Sequence, residues 1–326
     1  MATTENPPFP GNSHAPQADP GSMRFSPPLS LVVLVGCSAG VPLPAKAIAL
    51  NTAGIEALAS GDLETADARF SVALEYSPRF VDALTNLGIV EMERGNFARA
   101  RQLFERARRI NPDVAQPHHA LGVLEERERR PDRASIDYYE ALRVDPGFGP
   151  ARSNLARLLF AFGSVEEALV QYKRLVEVAS DDPVAFAGLA ETLVRLNRID
   201  ESDAVLTGAL ERFPDAPELV LLDARRSMRS GDIAAALVRL EPLALRRDEV
   251  GAAALGWIAT GELSLGELEA AMAAARQALR LDPESSVATY VLAVCLGTRR
   301  SPDAGPWLAK AARALPRDPV LQKLTR

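Results

Sequence analysis

Histidine, cysteine and tryptophan are scarce in this chain of 326 residues, which holds three His, two Cys and two Trp. Each scarcity removes a class of chemistry. A zinc site needs three or four converging ligands. Two of the histidines are the neighbours His118 and His119, whose side chains leave a helix in different directions, and the third is the remote His14. No metal site and no Ser/His/Asp constellation is therefore expected. Cys295 lies in an apolar helical stretch and reads as a buried structural thiol, so no intramolecular disulfide is expected with Cys37. No apolar run is long enough to cross a membrane as a helix. No glycine-rich phosphate loop follows a strand, since no alternating strand pattern is present. Nor is there a basic excess: 37 Lys and Arg stand against 43 Asp and Glu, a net charge of −6. That balance argues against nucleic acid as a partner. Neither a cofactor nor an enzymatic activity is expected.

What the chain has is a beat. A small residue recurs every 34 positions, at Gly54, Gly88, Gly122, Ala156, Ala190 and Ala224. Another follows each by twelve, at Ala66, Ala100, Ala134, Ala168, Ser202 and Ala236. In residues 81–114, Leu84, Leu87, Gly88 and Met92 share one helical face. Gly95-Asn96 breaks the helix, because both tolerate a left-handed backbone. Ala100, Phe104 and Ala107 then share a face of a second helix, and Pro112 ends it for want of an amide proton. The pair Gly88 and Ala100 is expected to let the two helices approach. The frame repeats: a bulky residue at Phe70, Phe104, Tyr138, Tyr172, Leu206, Leu240 and Leu308; a turn residue at Gly61, Gly95, Gly163, Asn197, Gly231 and Gly266; a proline at Pro78, Pro112, Pro146, Pro214, Pro283 and Pro316.

These residues resemble the tetratricopeptide repeat, a helix-turn-helix unit of this period. The resemblance covers residues 47–319 and implies an all-α, right-handed superhelical solenoid of about eight units, built to hold other proteins. Several positions depart from the pattern. Leu175 and Leu243 stand where a small residue is expected, so wider junctions are predicted there. Ser180 and Asp248 replace proline. Asp223 sits at an apolar position, with Arg226 one turn on to pair with it. Repeat seven starts one residue late, after Gly251, and repeat eight is one residue short near residues 299–302. Residues 320–326 allow only a turn or two where a polar cap is normally needed, so the last repeat is expected to expose apolar surface or to dock.

Residues 1–46 are different material. Residues 1–22 are rich in Pro, Gly, Asn and Ser and read as a disordered leader or a mis-called start. Residues 23–36 combine Arg24, a short apolar run and small residues, as a secretory signal does. Leu34-Val35-Gly36-Cys37 resembles the bacterial lipobox, which implies that Cys37 carries lipid and heads the mature chain. Residues 37–46 would then be a tether, the Pro42 to Pro44 stretch stiffening it. Ser38, where an Asp often signals inner-membrane retention, favours the periplasmic face of the outer membrane. Lipid anchor plus repeats is the architecture of the pilotins. The alternative is a cytoplasmic adaptor whose leader happens to contain Cys37.

In such arrays the first helix of each pair lines an inner groove. Projecting the frame places there Asn86, Ile89, Met92, His119, Asn154, Arg157 and Phe160, then Val194, Arg195, Arg225, Met228 and Arg229. Guanidinium groups suit bidentate carboxylate recognition, and methionine adapts to varied apolar side chains. The expected ligand is a protein or peptide segment carrying acidic residues. The competing expectation is that these arginines pair with neighbouring glutamates. Asn86 and Asn154 match an inner-face asparagine of the repeats of the glycosyltransferase that modifies Ser and Thr, but they recur in only two repeats. Thr85, Ile89 and Pro150 stand where a chaperone-tail clamp needs Lys and Asn, which rejects that ligand.

Overall fold

The computed structural model describes residues 42–325, which form two compact units, residues 42–179 and residues 180–325. The leader, the signal segment and Cys37 lie outside the described residues. All seventeen elements among the described residues are α-helices. The first unit holds α1 (Ala45–Ala59), α2 (Leu63–Tyr76), α3 (Val81–Glu93), α4 (Phe97–Ile110), α5 (Ala115–Arg127), α6 (Pro131–Val144), α7 (Gly149–Ala161) and α8 (Val165–Val178). The second holds α9 (Pro183–Arg195), α10 (Ile199–Arg212), α11 (Pro217–Arg229), α12 (Ile233–Ala244), α13 (Glu249–Leu265), α14 (Leu268–Leu281), α15 (Ser286–Thr298), α16 (Ala304–Ala314) and α17 (Pro319–Leu324). In both units odd and even helices pair as hairpins, and each hairpin packs on the next.

The close approach has a specific cause. A Cβ placed on Gly54, Gly88 or Gly122 would lie 2.5, 2.4 or 2.5 Å from the Cε1 of Phe70, Phe104 or Tyr138. The ring of the second helix therefore lies on the bare backbone of the first, and all three rings are fully buried. It is the glycine and the ring that interlock, with Ala100 buried beside them. Repeats five and six reach the same fit differently: Ala190 shares a core with Leu206, and Ala224 with Leu240. Repeat seven shrinks both sides, with Ala259 and Ala275 in one core. Small meets large and medium meets medium, as close packing requires.

The hairpin turns use the left-handed backbone at one recurring position. Gly61, Gly95, Gly163, Gly231 and Gly266 have φ between 78° and 87°, and Asn197 has φ 59°. Repeats three and eight place Arg129 (φ 59°) and Arg300 (φ 52°) there. A long side chain costs roughly 1–2 kcal/mol in this region. Arg129→Gly and Arg300→Gly should each raise stability by about 0.5–1 kcal/mol in urea melts; a lowered midpoint would show the arginines contribute otherwise.

The departures resolve locally. Asp223, only 8% exposed, is held by Arg226 at 2.5 Å, as expected, and also by Arg239 at 3.0 Å. Repeat seven does not begin after Gly251: α13 starts at Glu249, because Asp248 accepts the Gly251 amide at 3.0 Å and caps the helix early. The late register persists further along, at Ala259. The closing α17 has six residues; Asp318 caps it and Leu321 enters the core of the last hairpin. No helix among the described residues is long and apolar enough to cross a membrane.

Candidate binding face of the first helices

Within the first unit α1 packs beside α3 and α3 beside α5; within the second α9, α11, α13 and α15 follow one another. First helices thus share a face in each unit. Side-chain bonds join neighbours across it at about one repeat plus one residue. Asn86 donates to Asn51 at 3.1 Å, and Asn154 to the Nε2 of His119 at 3.0 Å. The two asparagines tie adjacent helices together. Ile89 on α3 and Val123 on α5 are half-buried and pack against the same core.

His119 sits between two rings, 5.7 Å from Tyr138 and edge-on to Phe148 at 5.5 Å. Burial pushes its pKa down to about 4, which suits a ring nitrogen that accepts from Asn154. Its neighbour His118 points into the packing and donates to the Pro112 carbonyl at 3.1 Å. Between pH 6.5 and about 4 the unfolded chain takes up a proton that folded His119 refuses, so this residue makes stability fall as pH falls through that window. Asp82 and Asp137, both raised to about 6 by burial, act in the opposite sense. The margin of the native protein over His119→Gln should therefore shrink by about 2–3 kcal/mol from pH 6.5 to pH 4. Urea melts at both pH values measure it, and a constant margin would contradict the assignment.

The arginines of the face are held from within. Arg157 donates to Glu126 at 2.5 Å, and the Tyr138 hydroxyl donates to the same carboxylate at 2.5 Å. Burial, and then the nearby Glu126 carboxylate, raise the Tyr138 pKa well above its usual value. Arg127 reaches Glu93 at 2.6 Å in the preceding repeat. In the second unit Arg225 reaches Glu191 at 2.9 Å and lies 5.0 Å from the Trp257 ring centroid. Arg229 reaches Asp203 at 3.4 Å. Arg195 and Phe160 also take part in interactions. Sequence reasoning missed Asn51, Trp257 and the bond from Tyr138 to Glu126. A buried tyrosine hydroxyl needs an acceptor, and Glu126 lies one turn after Gly122, which the Tyr138 ring covers.

Two expected face residues are elsewhere. Met92 and Met228, each 2% exposed, belong to the hairpin cores of Phe104 and Leu240. Each sits four residues after the small residue of its first helix, one turn along the side that meets the second helix. Neither offers surface to a ligand here. Val194, Glu191, Arg225 and Arg229 do converge, around a void of about 10 Å³ that Ser202 and Leu206 also line. That is room for about one water molecule, so a ligand would lie on this face and not in a pocket. Among the described residues no three His, Cys, Asp or Glu are grouped as metal ligands.

A face of half-buried apolar side chains edged by ion pairs, presented by a row of hairpins, defines a repeat scaffold for macromolecular contacts. Family models described as tetratricopeptide repeat match residues 51–115 and 258–319, and another of that description matches residues 127–191. The chain belongs to the tetratricopeptide-repeat family, whose members mediate protein–protein interactions. It is 33% identical over 100 residues to the type IV pilus assembly protein PilF of Pseudomonas aeruginosa, covering 31% of this chain and 38% of that protein. It is 26% identical over 253 residues to the cellulose synthase operon protein C of Pseudomonas fluorescens, covering 74% of this chain and 18% of that protein. The matches thus span under two fifths of these relatives' own length. A tetratricopeptide-repeat protein from Parabacteroides merdae superposes with a TM-score of 0.59 at 18% identity, covering 78% of this chain and all of that one, which shows the fold.

Proposed function

We propose that this chain is a lipid-anchored scaffold at the periplasmic face of the outer membrane, supporting assembly or stability of an envelope complex. The similarity to proteins named for type IV pilus assembly and for a cellulose synthase operon carries the reading, since both names belong to machines of the bacterial surface. The lipobox-like tetrad ending at Cys37 supplies the anchor. A single acyl chain holds weakly and two or more hold stably, at about 0.8 kcal/mol per buried methylene. The partner is a protein segment lying along the first-helix faces. Half-buried Ile89, Val123 and Val194 give it apolar contact. Acidic side chains on it would compete with Glu126 and Glu191 for Arg157 and Arg225.

Fractionation tests the anchor. The native protein should sediment with membranes, and its intact mass should be that of a chain beginning at an acylated Cys37. Cys37→Ala should move it wholly to the soluble fraction. A soluble, uncleaved native protein would instead favour a cytoplasmic adaptor.

A further inference from the structure

A cleft of about 590 Å³ opens between α14, α15 and α16. That volume is within the range of ligand-binding pockets, roughly 300–1,000 Å³. Its floor and walls carry Leu279 from α14, Leu296 from α15 and Trp307 from α16, with Pro306 at its edge. Trp307 and Leu279 are only half-buried. Arg276 and Arg280 stand on one rim, one helical turn apart on α14.

The junction of repeats two and three carries charges at the equivalent positions. Leu279 follows the small Ala278 as Arg108 follows Ala107, and Trp307 precedes Leu308 as Asp137 precedes Tyr138. Leu296 stands three after Ala293, as Glu125 stands three after Gly122. In repeats two and three these are charges that meet: Arg108 lies 3.8 Å from Asp137, and buried Glu125 holds Arg101 at 2.6 Å and Arg130 at 3.3 Å. In repeats seven and eight all three are apolar. Among the described residues their rim arginines, unlike Arg157 or Arg225, have no ion pair or hydrogen bond. Like charges at i and i+4 repel, and two carboxylates from outside would remove that cost. One acidic group, Asp303, also lines the cleft. The arginines outnumber it.

We infer that this cleft is a second docking surface, separate from the first-helix faces, for an amphipathic acidic segment of a partner protein. Apolar side chains of the segment fill the slot against Trp307, Leu279 and Leu296, and its Asp or Glu residues pair with Arg276 and Arg280. An apolar centre with an aromatic anchor and a charged rim is the usual anatomy of such contacts. The inference does not depend on the membrane anchor.

Trp307 reports on its own occupancy. In a Trp257→Phe background it is the sole indole of the full chain, which holds two Trp. The probe is a synthetic amphipathic peptide with leucines on one face and glutamates on the other. Titration should shift the Trp307 emission saturably to shorter wavelength. The pair Arg276→Glu and Arg280→Glu, both exposed positions, should weaken binding about tenfold or more with circular dichroism unchanged. Arg69→Glu, at an exposed position on α2, should leave it as it was. No saturable shift would overturn the inference. So would equal binding of a peptide with lysines for glutamates. A shift that follows protein concentration without peptide would also overturn it, marking a second copy as the occupant.

Discussion

Gly88→Ala should destabilise the first unit by about 1–3 kcal/mol, although alanine is the better helix former by about 1 kcal/mol. The added methyl would lie 2.4 Å from the Phe104 Cε1, so the fully buried ring would have to shift within the core. Phe104→Leu alone should cost a similar amount, through the space it leaves over the glycine. Together, Gly88→Ala and Phe104→Leu rebuild the pairing that Ala190 with Leu206 and Ala224 with Leu240 already use. The double variant should recover most of the loss, with a coupling energy of about 1–3 kcal/mol in a double-mutant cycle. Additive losses would mean that ring and glycine do not act as a unit. Contacts in a repeat array are between neighbours, so the damage should begin locally.

Glu126→Met should cost the same unit about 2–3 kcal/mol. It takes the acceptor from the Tyr138 hydroxyl, a buried side chain, and the partner from Arg157. A buried donor left without its bond costs about 1–3 kcal/mol, and a broken ion pair adds to that. Repeat two shows how the same site is built without the hydroxyl, with Met92 packed in the core of Phe104. Glu126→Met with Tyr138→Phe copies that arrangement into repeat three. Thermal melts should show the double variant well above Glu126→Met alone. If the two variants melt together, the carboxylate serves Arg157 and not Tyr138.

The two cycles mark what the residues disclosed. Hairpins, turns and the order of repeats follow from small, bulky and turn residues at fixed spacing, so nearly the whole of α1 to α16 was legible. Arg129 and Arg300 were not, because nothing in an arginine announces a left-handed backbone; only the spacing from Gly61 and Gly95 does. Asp248 was read as a lost proline, yet it caps α13 and moves its start to Glu249. The binding face was legible as a position and not as a chemistry. Periodicity placed Arg157, Arg225 and Arg229 on first helices. It did not decide between a ligand's carboxylate and a neighbour's, and in the structure Glu126, Glu191 and Asp203 hold them. Met92 and Met228 were displaced by one step of the helical wheel. That step separates a groove residue from one pressed against its own hairpin partner.

Photo-crosslinking in the native host tests the binding face most directly. A photoreactive residue is placed at Ile89, at Val194 and, as the control, at exposed Tyr139. After irradiation, adducts are identified by mass spectrometry. The expected result is one envelope protein captured from both Ile89 and Val194 and not from Tyr139. Capture from Tyr139 alone, or only cytoplasmic proteins from all three sites, would contradict a scaffold that works through its first helices at the cell envelope.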